Sequence, residues 1–203
     1  MTNFLYKNDL PDDLEFGDSI AIDTETMGLK RGRDRLCVVQ ISGGDGNAHL
    51  VQIARDDYQN AKNLKKLLTN DKILKIFHFA RFDLAILKLS FDIEINNVYC
   101  TKIASKIART YTDHHGLKSL TYELLNIEIS KKQQSSDWGN DSISNQQLKY
   151  AACDVLYLHK LKEKLDQILI REGRMHLANK CFAFLSDRVD LDINGFESDI
   201  FSH

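Results

Sequence analysis

Asp23 and Glu25 stand either side of a single threonine. Asp83 closes the run His78-Phe79-Ala80-Arg81-Phe82-Asp83, and Asp154 follows Tyr150 by four positions. In an extended strand alternate side chains share a face, so Asp23 and Glu25 point one way and Thr24 the other. Two carboxylates side by side repel, and one must take up a proton unless a cation lies between them. On a helix, a spacing of four stacks Tyr150 and Asp154 on one face. Asp154 lies among Ala151, Ala152, Cys153, Val155 and Leu156, where an unpaired acid is costly to bury. Four carboxylates in one pocket carry four negative charges, which two divalent cations balance. Hard oxygen donors select Mg2+ or Mn2+ over metals that prefer softer ligands. Two such ions about 3.5–4 Å apart clamp the attacking and leaving oxygens of an in-line phosphoryl displacement. Each fragment alone is a weak signal; the ordered set carries the expectation.

For that chemistry the acids must be delivered to one place by separate elements. The apolar Ile20-Ala21-Ile22 leading into Asp23 reads as a buried strand. Leu36 to Ile41 is a second strand. Gly43-Gly44-Asp45-Gly46 is a turn signal, and Ala48 to Ile53 returns as a third, giving an antiparallel meander. A helix is expected over about Tyr58 to Leu68, a fourth strand over Ile73 to Phe77, and a helix over Ala80 to Leu89 that carries Asp83. Asn97 to Cys100 makes a fifth strand, with helices at Thr101 to Ala108 and Leu117 to Leu125. Glu128 to Asn140 is polar and irregular. One long helix runs from Ser144 to Ile170, with Ser144 and Gln147 in a capping-box pattern. One more helix and a loose tail complete the chain. Strands first, then alternating helices and strands, predict an α/β fold with a mixed five-stranded sheet flanked by helices. Residues 1–203 read as a single domain, with a catalytic core over about 18–170 and a C-terminal helix and tail over 171–203.

The totals bound what such a domain binds. Asp and Glu number 29 against 27 for Lys and Arg, a formal charge of −2. A protein that tracks long duplex DNA carries a basic surplus; none shows here, which favours a short substrate. Cys37, Cys100, Cys153 and Cys181 form no Cys-x-x-Cys pair, so they read as reduced, structural thiols rather than a zinc ribbon or redox motif. The first residues carry acids where a secretory signal needs a basic flank. No run approaches the roughly 18 apolar residues of a membrane helix. A soluble, cytoplasmic protein with no membrane association is expected.

The residues Asp23-Thr24-Glu25, Phe82-Asp83 and Tyr150-x-x-x-Asp154 resemble the three exonuclease motifs of the DEDD superfamily, tyrosine subclass, whose fold is ribonuclease H-like. Lys131 to Trp138, read as KKQQSSDW, and the later QQLKYAACDVLYL resemble ribonuclease D. The resemblance covers about Asp18 to Lys162. About thirty residues follow the long helix, so the helical nucleic-acid-binding domains of ribonuclease D are not expected. Thr26-Met27-Gly28-Leu29 departs from ribonuclease D and looks more like the Met-Thr-Gly-Leu run of oligoribonuclease. A minimal ribonuclease-D-like domain with that first motif is similar to the nano-RNase C subfamily. The resemblance implies a 3′-5′ exoribonuclease that cleaves very short RNA, down to dinucleotides, to nucleoside 5′-monophosphates. It implies that Asp23, Glu25 and Asp154 hold one metal and that Asp23 reaches a second with Asp83 nearby. Tyr150 would orient the attacking water. Thr26 and Met27, with Gly28, would meet the 3′-terminal nucleotide, Leu29 would wedge between bases, and His78 would lie near the substrate. It also implies a homo-oligomer, as in the ring of nano-RNase C. The apolar Met175, Leu177, Phe182, Phe184 and Leu185 could supply interface or pack on their own core.

Several residues compete for attention. Adjacent His114 and His115 face different ways and have no third nitrogen ligand in register, so zinc is not expected. Arg109, His114 or Lys131 could hold a substrate 5′-phosphate. Trp138 could stack a base, though packing the loop is the expected role. Two other functions remain open: a broader exonuclease on single-stranded RNA or DNA, and a catalytically retired nucleic-acid-binding scaffold. The filled acidic positions argue against retirement.

Overall fold

The computed structural model describes residues 2–30, 32–55, 57–130, 136–196, 198, 200 and 201. Its sheet has six strands: β1 (Asn3–Lys7), β2 (Ser19–Thr26), β3 (Leu36–Ser42), β4 (Ala48–Gln52), β5 (Leu74–Phe77) and β6 (Val98–Cys100), in the order β1-β4-β3-β2-β5-β6. β2, β3 and β4 form the expected antiparallel meander, and every residue of β3 and β4 is buried. β5 and β6 add parallel strands on one side. The sixth strand corrects the five-stranded expectation. β1 is an edge strand, mostly exposed or half-buried, and it pairs in parallel with β4 across some forty residues of chain. A parallel pair needs a crossover, so no hairpin signal betrays it, and an edge strand shows little apolar alternation.

The helices are α1 (Lys62–Leu68), α2 (Ala80–Phe91), α3 (Thr101–Ala108), α4 (Leu117–Leu125), α5 (Asn145–Leu156), α6 (Leu158–Arg171), α7 (Met175–Ala183) and α8 (Leu185–Ile193). Tyr58–Asn60 is a separate 3-10 turn before α1, so the expected helix from Tyr58 is shorter. The expected long helix is two. Ser144 caps α5 through a complete capping box with Gln147, and the chain breaks direction at Tyr157. The apolar positions Ala151, Ala152, Val155, Leu158, Leu161, Leu165 and Leu169 run through the break, so periodicity does not reveal it. The break divides the labour: α5 packs on β1 to β4, while α6 packs on β5, β2, α3 and α4. The C-terminal segment also holds two helices rather than one. α8 lies against α2, where the buried Asp192 takes both Arg81 and Arg188.

Cross-strand register fixes what faces what. Glu25 pairs with Val38 and Thr26 with Leu36, so Cys37 is the extra residue of a bulge beside the acids. Bulges re-aim side chains at strand ends. No helix among the described residues is long and apolar enough to cross a membrane.

Candidate active site

β2 delivers the first pair of acids at its C-terminal end, and α5 brings Asp154 to them. One carboxylate oxygen from each of Asp23, Glu25 and Asp154 lies within 4.8 Å of the others. This is the one such cluster among the described residues. Asp83, on the first turn of α2, stands outside that trio and is held to β2 through Thr24. The Thr24 hydroxyl, on the opposite face of the strand from its acidic neighbours, donates to Asp83 Oδ1 at 2.7 Å. All four carboxylates sense one another electrostatically.

The electrostatics follow from burial first. Loss of water pushes the Asp23 carboxyl well above the ordinary range, and the charges of Asp83, Asp154 and Glu25 push it further. Glu25 is raised to about 9 by burial and then by Asp154 and Asp83. Asp83 rises to about 7 through burial, held back by the Thr24 hydroxyl. Acids so placed bind protons at neutral pH, or else a compensating cation. The donor set is all hard oxygen, which suits Mg2+ or Mn2+. Tyr150, one turn before Asp154, hydrogen-bonds that carboxylate. Burial and the three nearby acids push its hydroxyl far above the usual tyrosine value, so it stays protonated and donates.

The substrate-facing candidates lie around this cluster. Thr26 donates its hydroxyl to the carbonyl of Gly28 at 2.5 Å, closing the chain after β2 into a tight loop. A Cβ on Gly28 would overlap the Asp34 carboxylate, which receives Lys30 N at 2.8 Å and the Arg33 side chain. A side chain at position 28 would displace that carboxylate from its partners. The loop presents Met27 and Leu29 to solvent, at 58% and 83% exposure. Both are large apolar side chains left outside the core. His78, after β5, is tied through Nδ1 to the Thr101 hydroxyl at 2.9 Å.

A strap over residues 136–144 closes the other flank. Arg35 donates to the carbonyl of Gly139, Gln52 to that of Asn140, Lys7 to that of Asp141 and Gln147 to that of Asp137. The strap buries Trp138, whose ring centroid is 6.2 Å from that of Tyr150, and sets Gly139 against the Met27 thioether. Trp138 is therefore a packing residue. Arg109 is fully buried, with its guanidinium committed to Glu123, Ser105 and the His114 carbonyl, so it is unavailable to a substrate phosphate. His115 bonds Ser105 and His114 faces solvent, so the histidine pair converges on nothing; Lys131 lies outside the described residues.

This arrangement can now be set beside known proteins. The 3′-5′ exonuclease family matches residues 7–170. An NrnC from Brucella melitensis bound to pGG superposes with a TM-score of 0.93 at 55% identity, covering 100% of this chain and 99% of that one. The chain belongs to the 3′-5′ exonuclease family. The NrnC with bound Mg2+ is also similar, with a TM-score of 0.91 at 53% identity over the whole of both chains. A ribonuclease D from Granulibacter bethesdensis is 32% identical over 168 residues, 83% of this exonuclease-family chain. The chain spans 42% of that relative's length. The six-stranded mixed sheet with flanking helices is accordingly the ribonuclease H-like exonuclease fold.

Sequence reasoning missed three supports. Thr24, read only as the residue facing away, holds Asp83. Arg81 anchors the first turn of α2 to Asp192. Phe79 occupies a left-handed backbone conformation, φ +71°, at the N-cap of α2. Only Thr24 left a signal, a hydroxyl between two candidate ligands.

Proposed function

We propose that this chain is a metal-dependent 3′-5′ exoribonuclease that hydrolyses very short RNA, dinucleotides above all, to nucleoside 5′-monophosphates. The observation that carries the reading is the cluster of Asp23, Glu25 and Asp154 within 4.8 Å, flanked by Asp83. Full-length likeness to an NrnC bound to pGG supports the substrate class, and likeness to the Mg2+-bound form supports the cofactor. In this reading Asp23, Glu25 and Asp154 hold one divalent cation, and Asp23 with Asp83 holds another. When bound, the ions supply a water of lowered pKa and neutralise charge on the scissile phosphate. Tyr150, held protonated, orients the attacking water through its hydroxyl and is not the base. The Thr26–Gly28 turn receives the 3′-terminal nucleotide, Leu29 separates the bases, and His78 stands beside them. Thr24 and Arg81 are positioning residues that fix Asp83 and its helix.

The chain works as one domain and assembles as a homo-oligomer, for which exposed Leu177 and Phe184 offer apolar surface. Its four cysteines are free, as suits a reducing cytoplasm. Cleavage of pGG, a twenty-residue RNA and a twenty-residue DNA, in Mg2+ and then in chelator, tests the reading. Preference for pGG that vanishes in chelator is expected. Equal rates on all three point to the broader exonuclease, and no cleavage at all points to the scaffold.

A further inference from the structure

We propose that Phe79 and Lys102 form a nucleobase-stacking subsite beside the metal-binding carboxylates, an inference that rests on the nuclease reading above. β2, β5 and β6 are adjacent and parallel, and each ends at the same edge of the sheet. Ala21 pairs with Ile76 and Phe77 with Cys100. Phe79 follows β5 by two residues, as the N-cap of α2, and Lys102 follows β6 by two, in the first turn of α3. Asp83 lies four residues beyond Phe79, one helical turn away. In open α/β sheets the carboxyl ends of parallel strands form the ligand crevice.

Two features of Phe79 bear on a ligand role. Its φ of +71° is a left-handed conformation that a bulky aromatic adopts only under constraint. The residue is 44% exposed, so core burial does not compel that strain. Strain of this kind gathers at ligand-binding sites. The Lys102 ammonium sits over the ring, 4.0 Å from its centroid. An aromatic face with a cation at its rim is the arrangement that stacks a base and meets its phosphate. His78, pinned to Thr101, fixes the backbone at the junction. A base on Phe79 would belong to a nucleotide that adjoins the scissile phosphate.

The test is steady-state kinetics on pGG and on two analogues, each lacking one of its bases. Phe79→Gly removes the ring and relieves the left-handed strain, so its melting temperature should match or exceed the wild type. Its kcat/KM on pGG should fall about five- to hundredfold, mostly through KM, as loss of one stacked base predicts. Phe79→Trp should restore it. The loss should shrink to near nothing on one of the two base-deleted analogues, which identifies the stacked base. Lys102→Met should raise KM and flatten its salt dependence. Should Phe79→Gly fold poorly, Phe79→Leu carries the same comparison with the strain retained. Wild-type kinetics in these variants, or an equal loss on all three substrates, overturns the subsite while leaving the nuclease reading standing. A wild-type protein inactive on pGG in Mg2+ overturns the function reading itself.

Discussion

Replacing Glu25 by Gln should make the metal-free protein more stable while it loses activity. In the folded chain the Glu25 carboxyl is raised to about 9 against an ordinary 4.5. The folded state therefore holds this proton more tightly than the unfolded chain does. The associated stability is complete below pH 4.5 and is lost progressively as pH rises to about 9. At pH 7 the difference from the fully protonated state is 7.0 − 4.5 = 2.5 pH units, or about 3.4 kcal/mol at roughly 1.36 kcal/mol each. Solvent at the mouth of the site and side-chain relaxation screen part of that, leaving a gain of about 1–3 kcal/mol. Glutamine keeps the shape and never ionises, so it removes the cost.

For a chain of this size about 2–4 °C accompanies each kcal/mol, so the melting temperature should rise by about 2–12 °C in chelator at pH 7. At pH 5, where the wild-type acid holds its proton, the gain should nearly disappear. In excess Mg2+ the order should reverse, because the wild type binds the ion and the variant has lost a ligand. Differential scanning fluorimetry over pH 5–9, with and without metal, reads all three. A variant no more stable than wild type at pH 7 in chelator, or a gain independent of pH, refutes the argument.

Asp83→Ala and Asp154→Ala should each leave the far-ultraviolet circular dichroism unchanged and cut pGG turnover by about a thousandfold or more, since both remove charge opposite the proposed ions. Substantial turnover in either removes that residue from the site. Tyr150→Phe should slow hydrolysis about ten- to hundredfold with unchanged Mg2+ affinity, as the loss of one positioned hydrogen bond predicts. Because burial keeps the hydroxyl protonated, the wild-type pH–rate profile should show no tyrosine step near pH 10 that the variant lacks. Asp192→Ala, which leaves Arg81 and Arg188 without their buried carboxylate, should cost about 3–5 kcal/mol in urea unfolding. It should also lower activity by loosening the turn that carries Asp83.

How far the site was legible depended on whether its determinants are local. Strand alternation placed Asp23 and Glu25 together, and helical spacing placed Tyr150 beside Asp154, because both follow from backbone geometry alone. The capping box at Ser144 and Gln147 was readable for the same reason. β1 was not, because it is held by Asn3–Lys7 pairing with Ala48–Gln52, a long-range parallel contact without a turn. Nor was the break at Tyr157, where no proline or glycine interrupts a continuous apolar stripe. Arg109 stood as one of three open candidates for a substrate phosphate, because a long cationic side chain suits that contact. Here the guanidinium is spent on Glu123 and a loop carbonyl, which only the folded chain reveals.

The strap over 136–144 shows why the hidden part matters to the chemistry. Lys7 of β1, Arg35 just before β3, Gln52 of β4 and Gln147 of α5 each donate to a backbone carbonyl in it, and Gln147 also donates to the Ser136 hydroxyl. Carbonyl acceptors carry no residue identity, so nothing in the strap's own sequence marks those bonds. Their effect is local: Trp138 is pressed toward Tyr150, and Gly139 backs Met27. Under the proposed roles, Tyr150 and Met27 both need fixed positions, and the outermost strand contributes to the strap that backs them through Lys7. The surroundings of both side chains are therefore shaped partly from the sheet edge farthest from β5 and β6, by a strand whose sequence carries none of the acidic motifs.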